Sequence, residues 1–160
     1  MYTNSVEIFI YDLNKDSHCW CKDEFLQILT DDEVILHSSI VVHGSEYSYG
    51  ENGIEQHKPK LRPQYVTDLD FEEAVSRIKL VGKTHLTKIE VELLVEKLKN
   101  DANWLACKFN PVEHNCHHFS DLFIKLLCGV GAVLPAEIYN FNKNLLEHRE
   151  SWIYEFCVNN

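Results

Sequence analysis

The sequence predicts a single domain that contains both β-strands and α-helices. Its first half carries short apolar stretches, several rich in β-branched residues, that are bounded by Gly, Asn and Asp. Its second half carries segments with apolar residues every three or four positions, as amphipathic helices do. The chain has 160 residues and 45% hydrophobic content, enough for one core, so residues 1–160 are predicted to form one domain.

The clearest strands lie in the first half of the chain. Residues 6–13 alternate in side-chain character and end at a polar turn, which is typical of a strand. Residues 34–43 are rich in β-branched residues and form the strongest predicted strand. A turn at residues 44–45 then leads into residues 46–49, which predicts a hairpin that ends at residues 50–53.

Other segments give shorter patterns. Residues 22–29 have helical spacing and predict a short helix. Residues 70–75 predict one or two helical turns, and residues 77–81 predict a strand that ends at Gly82. Residues 104–109 predict another short strand.

Two further helices are predicted, one before and one after the segment that contains Cys116. Thr87 and Glu90 have the spacing of a capping box, which starts a helix that runs to about Asn100. Its predicted apolar face consists of Ile89, Leu93, Leu94 and Leu98. A last helix follows Pro135 and is assigned to residues 142–160. Its predicted apolar side consists of Leu145, Leu146, Trp152, Ile153 and Phe156.

The cysteine lies at the predicted start of a helix over residues 116–128. Asn115 is the predicted N-cap and Gly129 the C-terminal stop. The apolar face is predicted from the spacing of Phe119, Leu122, Phe123, Leu126 and Leu127. Cys116 falls near the edge of that face and is expected to point inward.

The position of Cys116 favours a nucleophile. Unpaired backbone N–H groups and the helix dipole are expected to lower the pKa of its thiol. His117 and Asp121 are predicted to share the opposite face of the helix. The alternative is that Cys116 is a buried packing residue, as most such cysteines are.

His37 is a candidate for the base that a cysteine nucleophile needs. With period two, it shares one face of its strand with Ser39 and Val41, whereas Leu36, Ile40 and Val42 share the other. A hydrogen-bonded core histidine is the alternative interpretation.

Composition excludes several classes of function. A formal net charge of -10 disfavours nucleic-acid binding. No apolar run is long enough to span a bilayer, and the first residues do not resemble a signal peptide. Six unevenly spaced cysteines favour reduced thiols. We therefore expect a cytoplasmic protein, with the nucleus as a further compartment, that is not secreted.

Two blocks of sequence resemble a known family. His-Ser-Ser-Ile-Val-Val at residues 37–42, followed by Gly-Ser-Glu-Tyr at 44–47 and Gly-Glu-Asn-Gly-Ile at 50–54, resembles the histidine block of the PPPDE superfamily, which includes the deSUMOylating isopeptidases. Residues 109–120, Phe-Asn-Pro-Val-Glu-His-Asn-Cys-His-His-Phe-Ser, resemble its cysteine block. The likeness spans roughly residues 6–141, and the departures are Phe109 for tyrosine, Pro111 for an aliphatic residue, His117 for asparagine and Glu51-Asn52 within a glycine-rich loop.

The resemblance implies an α+β fold of the circularly permuted papain-like type, with an antiparallel sheet or small barrel packed against helices. It implies a Cys-His dyad, with Cys116 as nucleophile at a helix N-terminus and His37 as base, that cleaves the bond at the C-terminus of ubiquitin or a ubiquitin-like modifier such as SUMO. The expected partners are modifier conjugates, and the expected state is a monomer or homodimer. The oxyanion would be held by the Cys116 backbone N–H and a further donor, for which Tyr11 and Asn115 are the candidates.

Three alternatives remain open at this point. The same dyad could hydrolyse S-acyl thioesters, or the domain could bind a modifier without catalysis. A zinc module is the third, because the segments at residues 18–21 and 114–118 are rich in His and Cys. Neither segment has the ligand spacing of ordinary zinc sites, so no metal or other cofactor is expected. His114 is expected to hold the loop before Cys116.

Overall fold

The computed structural model describes residues 4–12, 36–59 and 75–147. In these residues, five antiparallel strands form one sheet in the order β4-β3-β2-β1-β5. The strands are β1 (Asn4–Asp12), β2 (Leu36–Val42), β3 (Ser45–Gly50), β4 (Gly53–His57) and β5 (Val75–Thr84). The helices are α1 (Lys88–Lys99), α2 (Cys116–Cys128) and α3 (Ala136–Glu147), with two 3-10 turns at Ala102–Trp104 and Ala106–Lys108. The described residues therefore have the predicted α+β class and antiparallel sheet.

The predicted strands and hairpin of the first half are confirmed. β1 pairs with β2 so that Tyr11 lies opposite His37, and β2 pairs with β3 so that Ile40 lies opposite Tyr47. The sequence did not predict β4, into which the chain turns after Gly50. Only Ile54 is an aliphatic residue in this short strand, so it has no apolar alternation to signal it. Gly53 permits the turn because its φ is 87°, in the region that favours glycine.

Helix α2 packs across one face of the sheet and forms the centre of the core. Phe119 and Phe123 are fully buried, and the ring of Phe123 lies 5.5 Å from that of Tyr47 on β3. Tyr49 on the same strand lies 5.0 Å from Trp104, measured between ring centroids. The sheet contributes seven aliphatic side chains to this core, which are Val6, Ile8, Ile10, Leu36, Ile40, Val42 and Ile54. The core therefore fixes the start of α2 against β2.

The segment predicted as a strand at residues 104–109 is instead two 3-10 turns. Asp101 begins the first turn because its carboxylate accepts a hydrogen bond from the Asn103 backbone N–H at 2.8 Å. Trp104 is buried against the rings of Tyr49 and Phe119. Trp104 is buried and the next residue, Leu105, is exposed, so this apolar run does not form a strand.

Helix α1 has the predicted capping box, formed by Thr87 and Glu90. Its buried face was predicted only in part. Leu98 is buried as predicted and Leu94 packs against the core, but Val91 and Val95 are buried whereas Ile89 and Leu93 are 68% and 66% exposed. Both sets of residues have helical spacing, so periodicity alone cannot select the face that meets the core.

Helix α3 begins at Ala136, before the predicted start at residue 142. Leu145 is buried, as predicted, but Leu146 is exposed. The predicted helix at residues 22–29, the helical turns before Val75, the His-Cys segment at residues 18–21 and the end of the last helix lie outside the described residues. None of the described helices is long and apolar enough to cross a membrane.

Strand β5 passes through Gly82, where the sequence predicted its end. A Cβ at Gly82 would lie 2.7 Å from the Cys128 Sγ atom and 2.9 Å from the Cys128 Cβ atom. Both distances are shorter than real contacts of a Cβ atom, and rotation of the thiol cannot relieve the second. Glycine is therefore needed where the last turn of α2 crosses β5.

We expect Gly82→Ala to lower the free energy of unfolding by about 1–3 kcal/mol, because the added methyl group overpacks the contact between β5 and α2. Gly131→Ala is the matched control, since a Cβ there meets no atom within 4 Å. Urea unfolding of both variants measures the difference. Equal stability of the two variants would show that the contact between β5 and α2 accommodates the methyl group without a loss of unfolding free energy.

Candidate active site

Cys116 lies at the first turn of α2, where the sequence predicted it. Asn115 is the N-cap: its side-chain oxygen accepts hydrogen bonds from the backbone N–H groups of His117 at 2.9 Å and His118 at 3.4 Å. His118 completes a capping box by accepting from the Asn115 N–H at 3.1 Å. These bonds fix the backbone on both sides of Cys116.

The Asn115 side chain is fully used in holding this turn. Its amide group donates to the Pro111 carbonyl oxygen at 2.8 Å and to Asn142 Oδ1 on α3 at 3.1 Å. An amide group has two N–H donors, so neither remains for a substrate in this structure. Asn115 therefore links the loop, α2 and α3, and its predicted role as an oxyanion donor would require one of these bonds to break.

The Cys116 thiol is buried against β2, with 8% of the residue exposed. Burial raises the pKa of Cys116 to about 12, and the backbone N–H groups of Ser38, His117 and Cys116 oppose that rise only in part. The N–H groups of the helix N-terminus lower the pKa of this thiol, as predicted, but the prediction that the pKa falls below its usual value is wrong for this structure. The loss of hydration outweighs the donors of the first helical turn.

His117 is also placed differently from the prediction. It was expected on the face opposite the core, but only 1% of the residue is exposed. The reason is that β2 and α3 cover the first turn of α2 on that side. The His117 ring lies 5.4 Å from the Phe141 ring of α3, and its Nε2 atom lies 3.0 Å from the Leu36 carbonyl oxygen.

A chain of polar atoms connects β2 to α2 beside Cys116. The Ser38 Oγ atom lies 2.7 Å from His117 Nδ1 and 3.0 Å from Ser120 Oγ. Ser38 and Ser120 are fully buried. The sequence did not identify Ser38 or His117 as site residues, although period two on β2 places Ser38 on the face shared with Leu36 and Ile40.

His37 precedes Ser38 on β2 and is buried. Its ring lies 5.7 Å from that of Tyr11, the residue opposite it on β1. Successive side chains leave opposite faces of a strand, so the Ser38 side chain meets α2 whereas the His37 side chain leaves with Tyr11. Ser38 is thus the β2 residue that lies within hydrogen-bonding reach of the Cys116 sulfur.

Burial lowers the pKa of His37 well below its usual range, and nearby charge on His117 or His57 would lower it further. A positive charge on His117 would thus act on His37. Burial likewise lowers the pKa of His117 to about 3. Both imidazoles are neutral near pH 7 in this structure.

Tyr11 belongs to a second buried polar group on the sheet. The Tyr11 hydroxyl and the Ser39 hydroxyl both donate to Glu46 Oε1, each at 2.5 Å. Burial, followed by the charge of Glu46, raises the pKa of Tyr11 far above its usual range. The Tyr11 proton is thus directed to Glu46, and a role as oxyanion donor would require that bond to exchange.

His114 holds the loop before Cys116, as expected. Its Nε2 atom lies 2.7 Å from the Asn103 carbonyl oxygen, and its ring lies 4.4 Å from the Trp104 ring. The Asn110 and His114 backbones exchange two hydrogen bonds, at 2.9 and 3.0 Å.

Within residues 4–12, 36–59 and 75–147, no three His, Cys, Asp or Glu residues are grouped to hold a metal ion.

Residues 4–154 match the family model described as the PPPDE putative peptidase domain. The chain belongs to the PPPDE peptidase family. The desumoylating isopeptidase 1 homolog of Caenorhabditis elegans is 27% identical to it over 100 residues, which are 59% of this PPPDE chain and 28% of that relative. This chain thus matches less than a third of the length of the relative. The comparisons support a peptidase or isopeptidase, a class of hydrolase.

Proposed function

We propose that this chain is a cysteine isopeptidase that hydrolyses the bond at the C-terminus of a SUMO-type modifier, with Cys116 as nucleophile and His37 as base. The observation that carries the proposal is the position of Cys116 at the capped N-terminus of α2 in a member of a peptidase family. The SUMO-type substrate is proposed because the relative from Caenorhabditis elegans is named as a desumoylating isopeptidase.

The proposed reaction has two stages. His37 takes the thiol proton, and the Cys116 sulfur attacks the carbonyl carbon of the modifier's terminal residue. The C–N bond then breaks, and the His37 imidazolium gives its proton to the departing amine. His37 next takes a proton from water, which attacks the thioester and releases the modifier's carboxylate and the Cys116 thiol.

The first turn of α2 supports the negative charges that this reaction forms. The N–H groups of Cys116 and His117 and the Ser38 N–H all act on the sulfur and favour the thiolate. A developing oxyanion beside the sulfur would meet the Cys116 N–H, a contribution worth on the order of 3 kcal/mol. His37 is proposed as the base because it begins the segment that resembles the histidine block of the family. Its side chain leaves β2 on the face opposite to that of Ser38, so the reaction requires the imidazole to move towards Cys116.

In the resting protein, the Cys116 thiol and the His37 imidazole are both neutral. Transfer of the thiol proton to His37 is unfavourable while both groups are buried without a substrate, because burial raises the pKa of Cys116 and lowers that of His37. We propose that binding of the modifier's C-terminus aligns the pair and brings in the polar groups that stabilise its charges.

Covalent probes test the proposal. We expect a SUMO probe with a C-terminal electrophile to form an adduct with the native protein that Cys116→Ala abolishes. Cys107→Ala is the matched control, because Cys107 is an exposed free thiol in the same chain. Ubiquitin and NEDD8 probes, run in parallel, identify the modifier class.

The outcomes separate the alternative functions. Labelling by ubiquitin but not SUMO would keep the reaction and replace the proposed modifier. If no modifier probe labels Cys116 but an S-acylated peptide is deacylated, the thioesterase alternative replaces isopeptide hydrolysis. Binding of a modifier by both native protein and Cys116→Ala, without cleavage of any substrate, would contradict catalysis.

A further inference from the structure

The hydrogen bonds of the Ser38 hydroxyl have a direction that the structure determines. The Leu36 carbonyl oxygen can only accept, so His117 Nε2, at 3.0 Å, carries the proton. The neutral ring then has a bare Nδ1, which accepts the proton of the Ser38 hydroxyl at 2.7 Å. Since a hydroxyl has one proton, Ser120 must donate to Ser38 Oγ at 3.0 Å. The chain therefore runs from Ser120 through Ser38 to His117.

This direction matters for Cys116. The Ser38 hydroxyl is also within hydrogen-bonding reach of the Cys116 sulfur. If its proton were free, it could donate to a thiolate and stabilise it. Because His117 takes that proton, Ser38 Oγ has only a lone pair to offer Cys116, which can accept the S–H of a neutral thiol but cannot stabilise a thiolate.

We propose that His117 is a positioning residue that withholds the Ser38 hydroxyl proton from Cys116 and so keeps the thiol protonated in the resting protein. Its link to catalysis rests on the proposed function, but its effect on the thiol needs no substrate. The side chains of Ser120, Ser38 and His117 are almost completely excluded from solvent, so water does not compete for their protons.

The other titratable groups around His117 favour the same neutral ring. His118 on α2 lowers the pKa of His117, although burial is the larger cause. His37 on β2 is neutral in this structure because burial lowers its pKa. Helix α3 contributes the uncharged ring of Phe141. None of these groups supplies a charge that would favour protonation of His117 Nδ1 and so reverse the direction of the hydrogen bonds.

His117→Asn tests the proposal. An amide can donate to Ser38 Oγ, which frees the Ser38 proton for the sulfur. We expect the pKa of Cys116 to fall by about one unit, which raises its alkylation rate roughly tenfold at a fixed pH below that pKa. Iodoacetamide alkylation across a pH series, followed at Cys116 by peptide mass spectrometry, measures the rate, with exposed Cys107 as the internal reference.

Ser38→Ala separates hydrogen-bond direction from a loosened structure. If the gain depends on the Ser38 proton, His117→Asn has no effect on the Cys116 rate in a Ser38→Ala background. A gain that persists there would overturn the proposal, because it would come from better access to the thiol. This experiment can succeed or fail whether or not the protein cleaves a modifier.

Nitrogen-15 NMR of the native protein provides a test that does not depend on the variants folding. We expect His117 to be in the tautomer with its proton on Nε2 and a bare Nδ1 at pH 7. A proton on Nδ1 would overturn the proposal, since the ring would then donate to Ser38.

Discussion

Cys116→Ala and His37→Ala should each lower the hydrolysis of a modifier–lysine isopeptide by at least about 10³-fold. The reason is that a nucleophile and its base act as one unit, so loss of either removes the same covalent step. The double variant should therefore be no slower than the slower single variant, within about twofold. Single-turnover hydrolysis with excess enzyme measures these rates without interference from product release.

The controls for this prediction lie in the same chain. Cys107 and His85 are exposed, so alanine at either position should leave the rate near the native value. Cys116→Ala removes only a buried thiol, and circular dichroism checks that both site variants fold. If His37→Ala retains the native rate while Cys116→Ala does not, the nucleophile stands and another group is the base.

The local signals near Cys116 were strong enough to predict the helix from sequence. Helix α2 begins after Asn115 and ends before Gly129, as the capping rules predict, and the spacing of Phe119 and Phe123 predicted their burial. Thr87 and Glu90 similarly defined the start of α1. Each of these features depends on residues within a few positions of one another, which is why sequence reasoning could predict them.

The environment of the first turn of α2 depends on elements far away in the chain. His117 contacts Leu36 and Ser38, which lie 81 and 79 positions earlier, and Phe141 on α3. A helical wheel places His117 opposite the core because it represents α2 alone, without the second surface that β2 and α3 provide. The same limit explains why the pKa of Cys116 was expected to fall: capping is local, whereas burial is tertiary.

Helix α2 combines the two roles that the chain requires. Its first turn holds Cys116 and the polar contacts to β2, and its next turns supply the aromatic core. Phe119 lies one position before Ser120, so the packing of its ring also fixes the hydroxyl chain beside the thiol. Stability and the geometry of the site are thus expected to change together in this helix.

Phe119→Ala should lower the free energy of unfolding by about 3–5 kcal/mol. The Phe119 ring is fully buried, and its centroid lies 5.3 Å from Phe123, 5.5 Å from Trp104 and 6.2 Å from Tyr49. Truncation would leave a cavity between α2, the 3-10 turns and β3, which their fixed backbones can fill only in part. Urea unfolding, with comparison of the m-values, measures the loss.

Leu126→Ala is the matched control for Phe119→Ala, because Leu126 is 43% exposed on the same helix and alanine keeps the helix propensity high in both variants. We expect a loss of about 1 kcal/mol or less for Leu126→Ala, since only part of its side chain leaves water on folding. Losses of similar size in the two variants would mean that Phe119 does not anchor the core. A large loss for Phe119→Ala with an unchanged alkylation rate of Cys116 would instead separate the core of α2 from the geometry of its first turn.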